Sequence, residues 1–220
     1  MSIKLLQSAE PIIPAVLAQS LEEFNYKLEF GRAVGSVHLD VINEDFVSGF
    51  SLPIESWPDK INVRYSEAHL MVSNPISYLE KIKKHGICRA IVHVESTFDQ
   101  TELLNKAREL DLLIGFAVNP DTDLIKVKTL LSANGYIQVM GIHPGRANQE
   151  MIEQTPLAVS YLRKTISRQV YISIDGGVTV ENVPKLIRAG ASYFVTTHAL
   201  FADGDPKENY QKLLGTTKEI

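Results

Sequence analysis

The feature that constrains this chain most is an alternation of short runs rich in Val, Ile, Tyr and Phe with longer segments of helical periodicity. Eight of the short runs are predicted to be strands, over residues 12–17, 36–41, 62–71, 89–93, 112–118, 136–140, 171–175 and 193–197. Helices are predicted over 20–30, 74–86, 99–110, 121–131, 156–167 and 180–190, several of them opening at Ser, Asp or Asn and closing at Gly. Residues 44–60 contain two prolines and are predicted to be irregular.

Eight strands that alternate with helices within 220 residues predict a single-domain (β/α)8 TIM barrel of the α/β class, spanning residues 1–220. No Pro-, Gly- or Ser-rich linker divides the chain. The alternative α/β layout is an open doubly wound sheet, which more often carries a glycine-rich dinucleotide turn after its first strand. The sequence has no such turn.

Charge, cysteine content and hydropathy indicate which partners and which cell compartment this chain can have. The chain has 22 basic and 26 acidic residues, a net charge of -4 and no run of five like charges, so we expect neither nucleic acid nor a membrane as a partner. Its single cysteine, Cys88, fits a reducing compartment. Glu10, Pro11 and Pro14 interrupt the first apolar stretch, and nowhere do eighteen apolar residues run together. We therefore predict a cytoplasmic protein.

Polar residues interrupt the apolar pattern of the second predicted strand. Because side chains two apart share a face, SVHLDV places Ser36, His38 and Asp40 on one side, which in a barrel is the interior. Branched aliphatic residues normally fill that interior. A His-x-Asp pair alone is more often a satisfied hydrogen-bonded pair than a metal site. A functional interpretation of the pair therefore depends on similar residues at other strand ends.

Three further strand ends carry such residues: EAHLMV has His69, AIVHVES has His93 and YISIDGG has Asp175. In a barrel, the carboxyl ends of all strands meet at one mouth, where active sites lie. Four side chains are predicted to converge there: His38, Asp40, His69 and Asp175. His93, close to Glu95, is either a residue that hydrogen-bonds the site or merely a buried strand end.

Two imidazoles and two carboxylates suit one divalent metal ion, and the sequence leaves Zn(II), Fe(II) and Mn(II) open. A metal with two carboxylates is suited to removing a proton next to a carbonyl, and two opposed bases indicate inversion of a carbon centre. The sequence has no nucleophile elbow, Walker loop or paired cysteines, so hydrolase, kinase and structural-zinc functions lose support.

Several motifs in order along the chain resemble the ribulose-phosphate 3-epimerase family: VHLDVINEDFV, HLMVSNPISYLE, VNPDT, VMGIHPG, ISIDGG and AGASYFV. The resemblance implies a barrel of the ribulose-phosphate-binding type, a homo-oligomer and a role in the pentose phosphate pathway. It also implies that His38, Asp40, His69 and Asp175 bind one Zn, Fe or Mn ion. Asp40 and Asp175 are then the two bases that invert C3 of a ketose phosphate.

The resemblance further implies a set of substrate contacts: Met71, Met140, Gly145, Arg146, Gly176, Gly177 and His198. By composition alone, the two methionines are more often simple core. The family's loop after strand six reads Pro-Gly-Phe-Gly-Gly, whereas this chain has Ala147 and Asn148 at the last two positions. Thr197 and His198 stand where the family has Gly-Ser. Both changes crowd the phosphate site. One interpretation is that Arg146 or His198 replaces the lost backbone contacts with charge-assisted hydrogen bonds to the phosphate. The alternative is that Arg146 is a solvated loop residue.

Three departures lie nearer the metal: Ala15 replaces a serine, Ile42 replaces a methionine, and Asn43-Glu44 replaces Asp-Gly. Glu44 either repels an anionic substrate or faces solvent. The metal ligands and the two bases match the family, whereas the phosphate site and the pocket wall differ, so the departures leave the substrate open. Ribulose 5-phosphate or a related ketose phosphate is the first candidate, and a different, unphosphorylated sugar is the second. Two further hypotheses are a non-catalytic barrel that binds a sugar or anion, and metal-assisted aldol cleavage.

Overall fold

The computed structural model describes residues 9–132, 135–145 and 149–218, which form a closed barrel of parallel strands in sequential order. The strands are β1 (Ile12–Val16), β2 (Ser36–Ile42), β3 (Tyr65–Met71), β4 (Arg89–His93), β5 (Leu113–Val118), β6 (Tyr136–Met140), β7 (Tyr171–Asp175) and β8 (Tyr193–Thr196). The barrel closes where β1 pairs with β8, Pro14 lying opposite Thr196. The predicted (β/α)8 barrel is confirmed.

Helices connect most of the strands. Within the described residues they are α1 (Leu21–Val34), α2 (Ile76–Lys84), α3 (Gln100–Glu109), α4 (Leu124–Ser132), α5 (Thr155–Thr165), α6 (Val183–Ala189), α7 (His198–Phe201) and α8 (Pro206–Thr216). The first six match predicted helices, whereas α7 and α8 were not predicted. The predicted irregular segment joins β2 to β3 and holds only a 3-10 turn, Ile54–Ser56. None of the helices described is long and apolar enough to cross a bilayer.

Local sequence signals explain where elements begin and end. Ser20 and Asp99 cap α1 and α3, each side chain accepting a hydrogen bond from the backbone N–H three residues on. The third strand begins at Tyr65 rather than at the predicted Asn62. Asn62 has a φ of 52°, a left-handed conformation that cannot continue an extended strand.

The strand pattern divides the core into two layers. Val37, Leu39 and Val41 of β2 belong to the larger cluster, which lies between the sheet and the helices. A smaller cluster fills the barrel interior: Ile13, Ala15, Tyr65, Ile91, Ala117, Tyr136, Tyr193 and Val195. The inward residues of β2 are polar, so the interior cluster does not close over the carboxyl end of the barrel. That end holds the candidate site.

Candidate active site

The four residues predicted to bind a metal meet at the carboxyl end of the barrel. One ligand atom from each of His38, Asp40, His69 and Asp175 lies within 4.8 Å of the others. His69 Nδ1 is 3.2 Å from Asp40 Oδ1 and 3.1 Å from Asp175 Oδ2. The register of β2 and β3 places Asp40 beside His69, so strand pairing itself brings the two together.

His38 presents its Nε2 atom to this cluster. Its other ring nitrogen, Nδ1, lies 2.8 Å from Glu67 Oε1, and both side chains are fully buried. Nε2 lies 3.3 Å from Asp40 Oδ1 and 3.6 Å from Asp175 Oδ2, yet it makes no hydrogen bond with acceptable geometry to any residue that the structure describes. A buried ring nitrogen without a hydrogen-bond partner needs another partner, and a metal ion would satisfy it.

The electrostatics of the cluster also favour a cation. Burial by itself lowers the pKa of His38, but the carboxylates of Asp40 and Glu67 outweigh burial and raise that pKa well above 6.5. Burial likewise lowers the pKa of His69, and the carboxylates of Asp175 and Asp40 raise it above 6.5. Burial raises the pKa of Asp40, whereas the two imidazoles hold it below 3.8. The site therefore draws positive charge, and a divalent cation can take the place of the bound protons.

His69 is held on its far side by a second histidine. His69 Nε2 lies 2.7 Å from His93 Nε2, and the two rings stack with centroids 4.9 Å apart. His93 Nδ1 in turn lies 3.1 Å from Glu95 Oε2. Of the two interpretations of His93, the structure supports the one in which it hydrogen-bonds the site.

A buried ion pair beneath His38 was not predicted. Arg89, the first residue of β4, lies 3.7 Å from Glu67 and packs over the ring of Tyr136 at 4.1 Å. Tyr65 donates a hydrogen bond to Glu67 and accepts one from Arg89. The signal was present: Glu67 lies two residues before His69 and therefore shares its inward face.

Gln138 was also not predicted, although it touches one of the proposed bases. Its Nε2 donates a 2.9 Å hydrogen bond to Asp175 Oδ2, and its side chain is fully buried. It lies two residues before Met140 on β6, and this same-face spacing would have identified it. Gln138 fixes the orientation of the Asp175 carboxylate.

A cavity of about 780 Å³ opens above the cluster. Its walls include most of the predicted site residues: Asp40, Met71, Met140, Gly145, Asp175, Gly176, Gly177 and His198. Arg146 lies outside the described residues. Ala15 and Ile42 also line the cavity, as their positions beside the metal site predict. Glu44 is exposed and is not among the described residues that line the cavity, so its solvent-facing interpretation is the one supported.

The turn after β7 requires its two glycines. Gly176 and Gly177 have φ values of 93° and 67°, which L side chains rarely adopt. A Cβ on Gly176 would lie 2.3 Å from Ile142 Cγ1, and one on Gly177 would lie 2.7 Å from the backbone of Met151. These clashes explain why backbone, rather than side chains, forms this part of the cavity wall.

A closed (β/α)8 barrel with a His/Asp cluster at the carboxyl mouth defines a class of barrel proteins whose active sites lie at that end. Within that class, the family model for the ribulose-phosphate 3 epimerase family matches residues 9–201, and the chain belongs to this family. The family is one of isomerases that act on carbohydrates.

Curated relatives agree along most of the chain. The ribulose-phosphate 3-epimerase of Aquifex aeolicus is 31% identical over 183 residues, covering 80% of this chain and 82% of the relative. That of Schizosaccharomyces pombe is 28% identical over 206 residues, covering 90% of this chain and 89% of the relative.

Solved structures show the same fold at low identity. A mutant tryptophan synthase α-subunit from Pyrococcus furiosus superposes with a TM-score of 0.69 at 16% identity, over 93% of this chain and 98% of that chain. A 3-hexulose-6-phosphate synthase gives a TM-score of 0.64, also at 16% identity, over 93% and 99% of the two chains. Identities this low support the barrel fold alone.

Proposed function

We propose that this protein is a metal-dependent epimerase that inverts C3 of a ketose phosphate, with ribulose 5-phosphate as the first candidate. The observation that carries the proposal is the placement of two carboxylates. Asp40 of β2 and Asp175 of β7 approach one nitrogen of His69 at 3.2 and 3.1 Å and also line the cavity. Relatives named ribulose-phosphate 3-epimerase support the choice of substrate.

The metal is proposed to be held by His38, Asp40, His69 and Asp175, whose donor set suits Zn(II), Fe(II) or Mn(II). A divalent ion there supplies the Lewis acidity that makes a proton next to a ketone removable. His38 contributes Nε2 because Glu67 occupies its Nδ1. Gln138 keeps Oδ2 of Asp175 directed at the cluster, which leaves the other oxygen available to substrate.

In this scheme Asp40 and Asp175 act as the acid and base. One carboxylate takes the C3 proton from one face of the substrate, and the other returns a proton to the opposite face. They are suited to opposite faces because they project from β2 and β7, two strands that are not neighbours in the closed barrel. Met71, Met140 and Ile42 form an apolar wall of the same cavity, which excludes water from the reacting carbon.

A lysine, a histidine and backbone groups support binding of a phosphate. Lys185 and His198 line the cavity, as do the side-chain-free backbones of Gly145, Gly176 and Gly177. Glu150 and Glu153 line it as well, so an unphosphorylated sugar is the second candidate that the experiment must separate. Cytoplasmic location and homo-oligomerisation stay predictions.

The proposal is tested by proton NMR in D2O, with metal-loaded protein incubated with D-ribulose 5-phosphate or, in parallel, with unphosphorylated ketopentoses. We expect loss of the C3 proton signal and appearance of the C3 epimer with the phosphate ester. Exchange only with an unphosphorylated ketopentose would change the proposed substrate from a ketose phosphate to an unphosphorylated sugar. Carbon–carbon cleavage products would indicate aldol chemistry, and no exchange with any sugar would favour the non-catalytic binding barrel.

Metal binding is expected to raise thermal stability. An ion that binds only the folded state at 100 times its Kd adds about 2.7 kcal/mol, which for a chain of this size corresponds to a rise in Tm of roughly 5–11 °C. The measurement is Tm of chelator-treated protein with added Zn(II), Mn(II) or Fe(II). The His69→Asn variant should lose the response, whereas His143→Gln, at an exposed histidine outside the cluster, should keep it. An unchanged Tm with all three ions would contradict the metal site.

A further inference from the structure

We propose that His93 and Glu95 form a positioning relay that makes His69 present Nδ1, as an unprotonated nitrogen, to the four-residue cluster. The proposal rests on the metal-dependent function proposed above. Under this proposal His93 and Glu95, which lie outside the cluster, increase the affinity of the cluster for the metal ion.

Glu95 sets the direction of the relay. An ionised carboxylate only accepts hydrogen bonds. Glu95 Oε1 accepts from the backbone N–H of Asn119 at 2.9 Å and from the hydroxyl of Thr122. Its Oε2 faces His93 Nδ1 at 3.1 Å. Nδ1 of His93 must therefore carry a proton and donate it to Glu95.

That assignment fixes the proton between the two histidines. Two ring nitrogens 2.7 Å apart share one proton. A neutral imidazole carries a single N–H, so His93, protonated at Nδ1, accepts at Nε2, and His69 donates from Nε2. When a metal ion displaces the proton held between His69 and the two carboxylates, the neutral His69 has no proton on Nδ1, the atom that faces Asp40 and Asp175. A metal-ligating nitrogen must be unprotonated, and the relay selects this tautomer.

Packing holds the relay in place. The rings of His69 and His93 stack at an interplanar angle of 19°, and the ring of Phe46 lies 5.0 Å from that of His93. His93 is fully buried, so water does not compete for its nitrogens. The His38 side of the cluster differs, since Glu67 contacts that imidazole directly. The two imidazoles therefore offer different nitrogens, each selected by its own carboxylate.

The decisive variant is Glu95→Gln, which keeps the shape of the side chain but reverses the direction of its hydrogen bond with His93. The N–H of Asn119 can only donate, so it holds the amide oxygen of the new glutamine, and the NH2 group faces His93 Nδ1. His93 must then accept at Nδ1 and carry its proton on Nε2, opposite His69 Nε2. We expect Zn(II) affinity to fall by roughly 10–100-fold.

Affinity is measured by competition with a chromogenic chelator, and the visible d–d spectrum of the Co(II) form reports the ligand set. His93→Phe, which keeps a stacked ring but removes the acceptor, should lose affinity to a similar extent. The control Glu55→Gln makes the same chemical change at an exposed ion pair with Lys81 and should match the parent in both readouts.

The outcomes separate this proposal from the proposed function. Suppose that the parent binds metal and that the folded Glu95→Gln variant binds it with an affinity within about twofold of the parent and an unchanged Co(II) spectrum. That result overturns the relay and leaves the epimerase proposal standing. A parent that binds neither Zn(II) nor Co(II) overturns both. Tm of each metal-free variant shows whether it folds, and Glu95→Gln decides the question even if His93→Phe does not fold.

Discussion

Replacing Asp175 with asparagine is expected to slow interconversion of the two C3 epimers by roughly 10²–10⁴-fold, the usual contribution of a general acid or base. Asparagine cannot take up or return a proton at neutral pH. Asp40→Asn should produce a comparable loss, because in a two-base mechanism each carboxylate serves one face of the carbon. Both residues line the cavity and approach His69, so either substitution also weakens the proposed metal site.

The rate is followed by NMR with D-ribulose 5-phosphate, and far-ultraviolet circular dichroism with Tm verifies that each variant folds. The control is Asp59→Asn, the same change at an exposed residue in the β2–β3 connection, which should retain the parental rate. Epimerisation retained at the parental rate by a folded Asp40→Asn or Asp175→Asn variant would contradict the two-base mechanism.

Arg89→Met is expected to lower the free energy of unfolding by about 3–5 kcal/mol, the usual cost of removing one partner of a buried ion pair. Glu67 is fully buried, and it would keep its charge without the guanidinium 3.7 Å away. Although burial raises the pKa of Glu67, contacts with His38, Arg89 and Tyr65 hold it below 4.5. The packing of Arg89 on Tyr136 would be lost as well.

Chemical denaturation measures the change, and thermal melting should show a fall in Tm of roughly 6–20 °C at about 2–4 °C per kcal/mol. The double variant Arg89→Met/Glu67→Gln should recover part of the loss because it removes the buried charge that has lost its guanidinium partner. Arg108→Met, at an exposed position of α3, should remain close to the parent. A loss below about 1 kcal/mol in Arg89→Met would show that the ion pair does not stabilise the fold.

Much of the barrel was predictable because its strands carry their burial pattern in the sequence. The runs at 89–93, 136–140 and 171–175 were predicted with the bounds that the structure has. The errors lie where local geometry overrides composition, as at Asn62, or where an element is short, as in the four-residue α7. Helix α8 was missed although the Asp205 side chain caps it by accepting a hydrogen bond from the N–H of Lys207.

The candidate site likewise contains some residues that the sequence identified and others that it did not. His38, Asp40, His69 and Asp175 were identifiable because polar side chains at strand ends contradict the apolar pattern around them. Gln138 and Glu67 follow the same two-residue spacing but lie deeper in the barrel. Their importance depends on which side chains from neighbouring strands they meet.

The sequence by itself determined the alternation of strands and helices, the inward face of each strand and the four residues at the barrel mouth, since these depend on spacings within one strand. Only the tertiary structure decided which nitrogen each histidine presents, that Arg89 supports Glu67, and that Glu95 reaches His69 through His93. Those contacts join residues of different strands. Barrel closure and strand register set their distances, and no periodicity along a single segment encodes them.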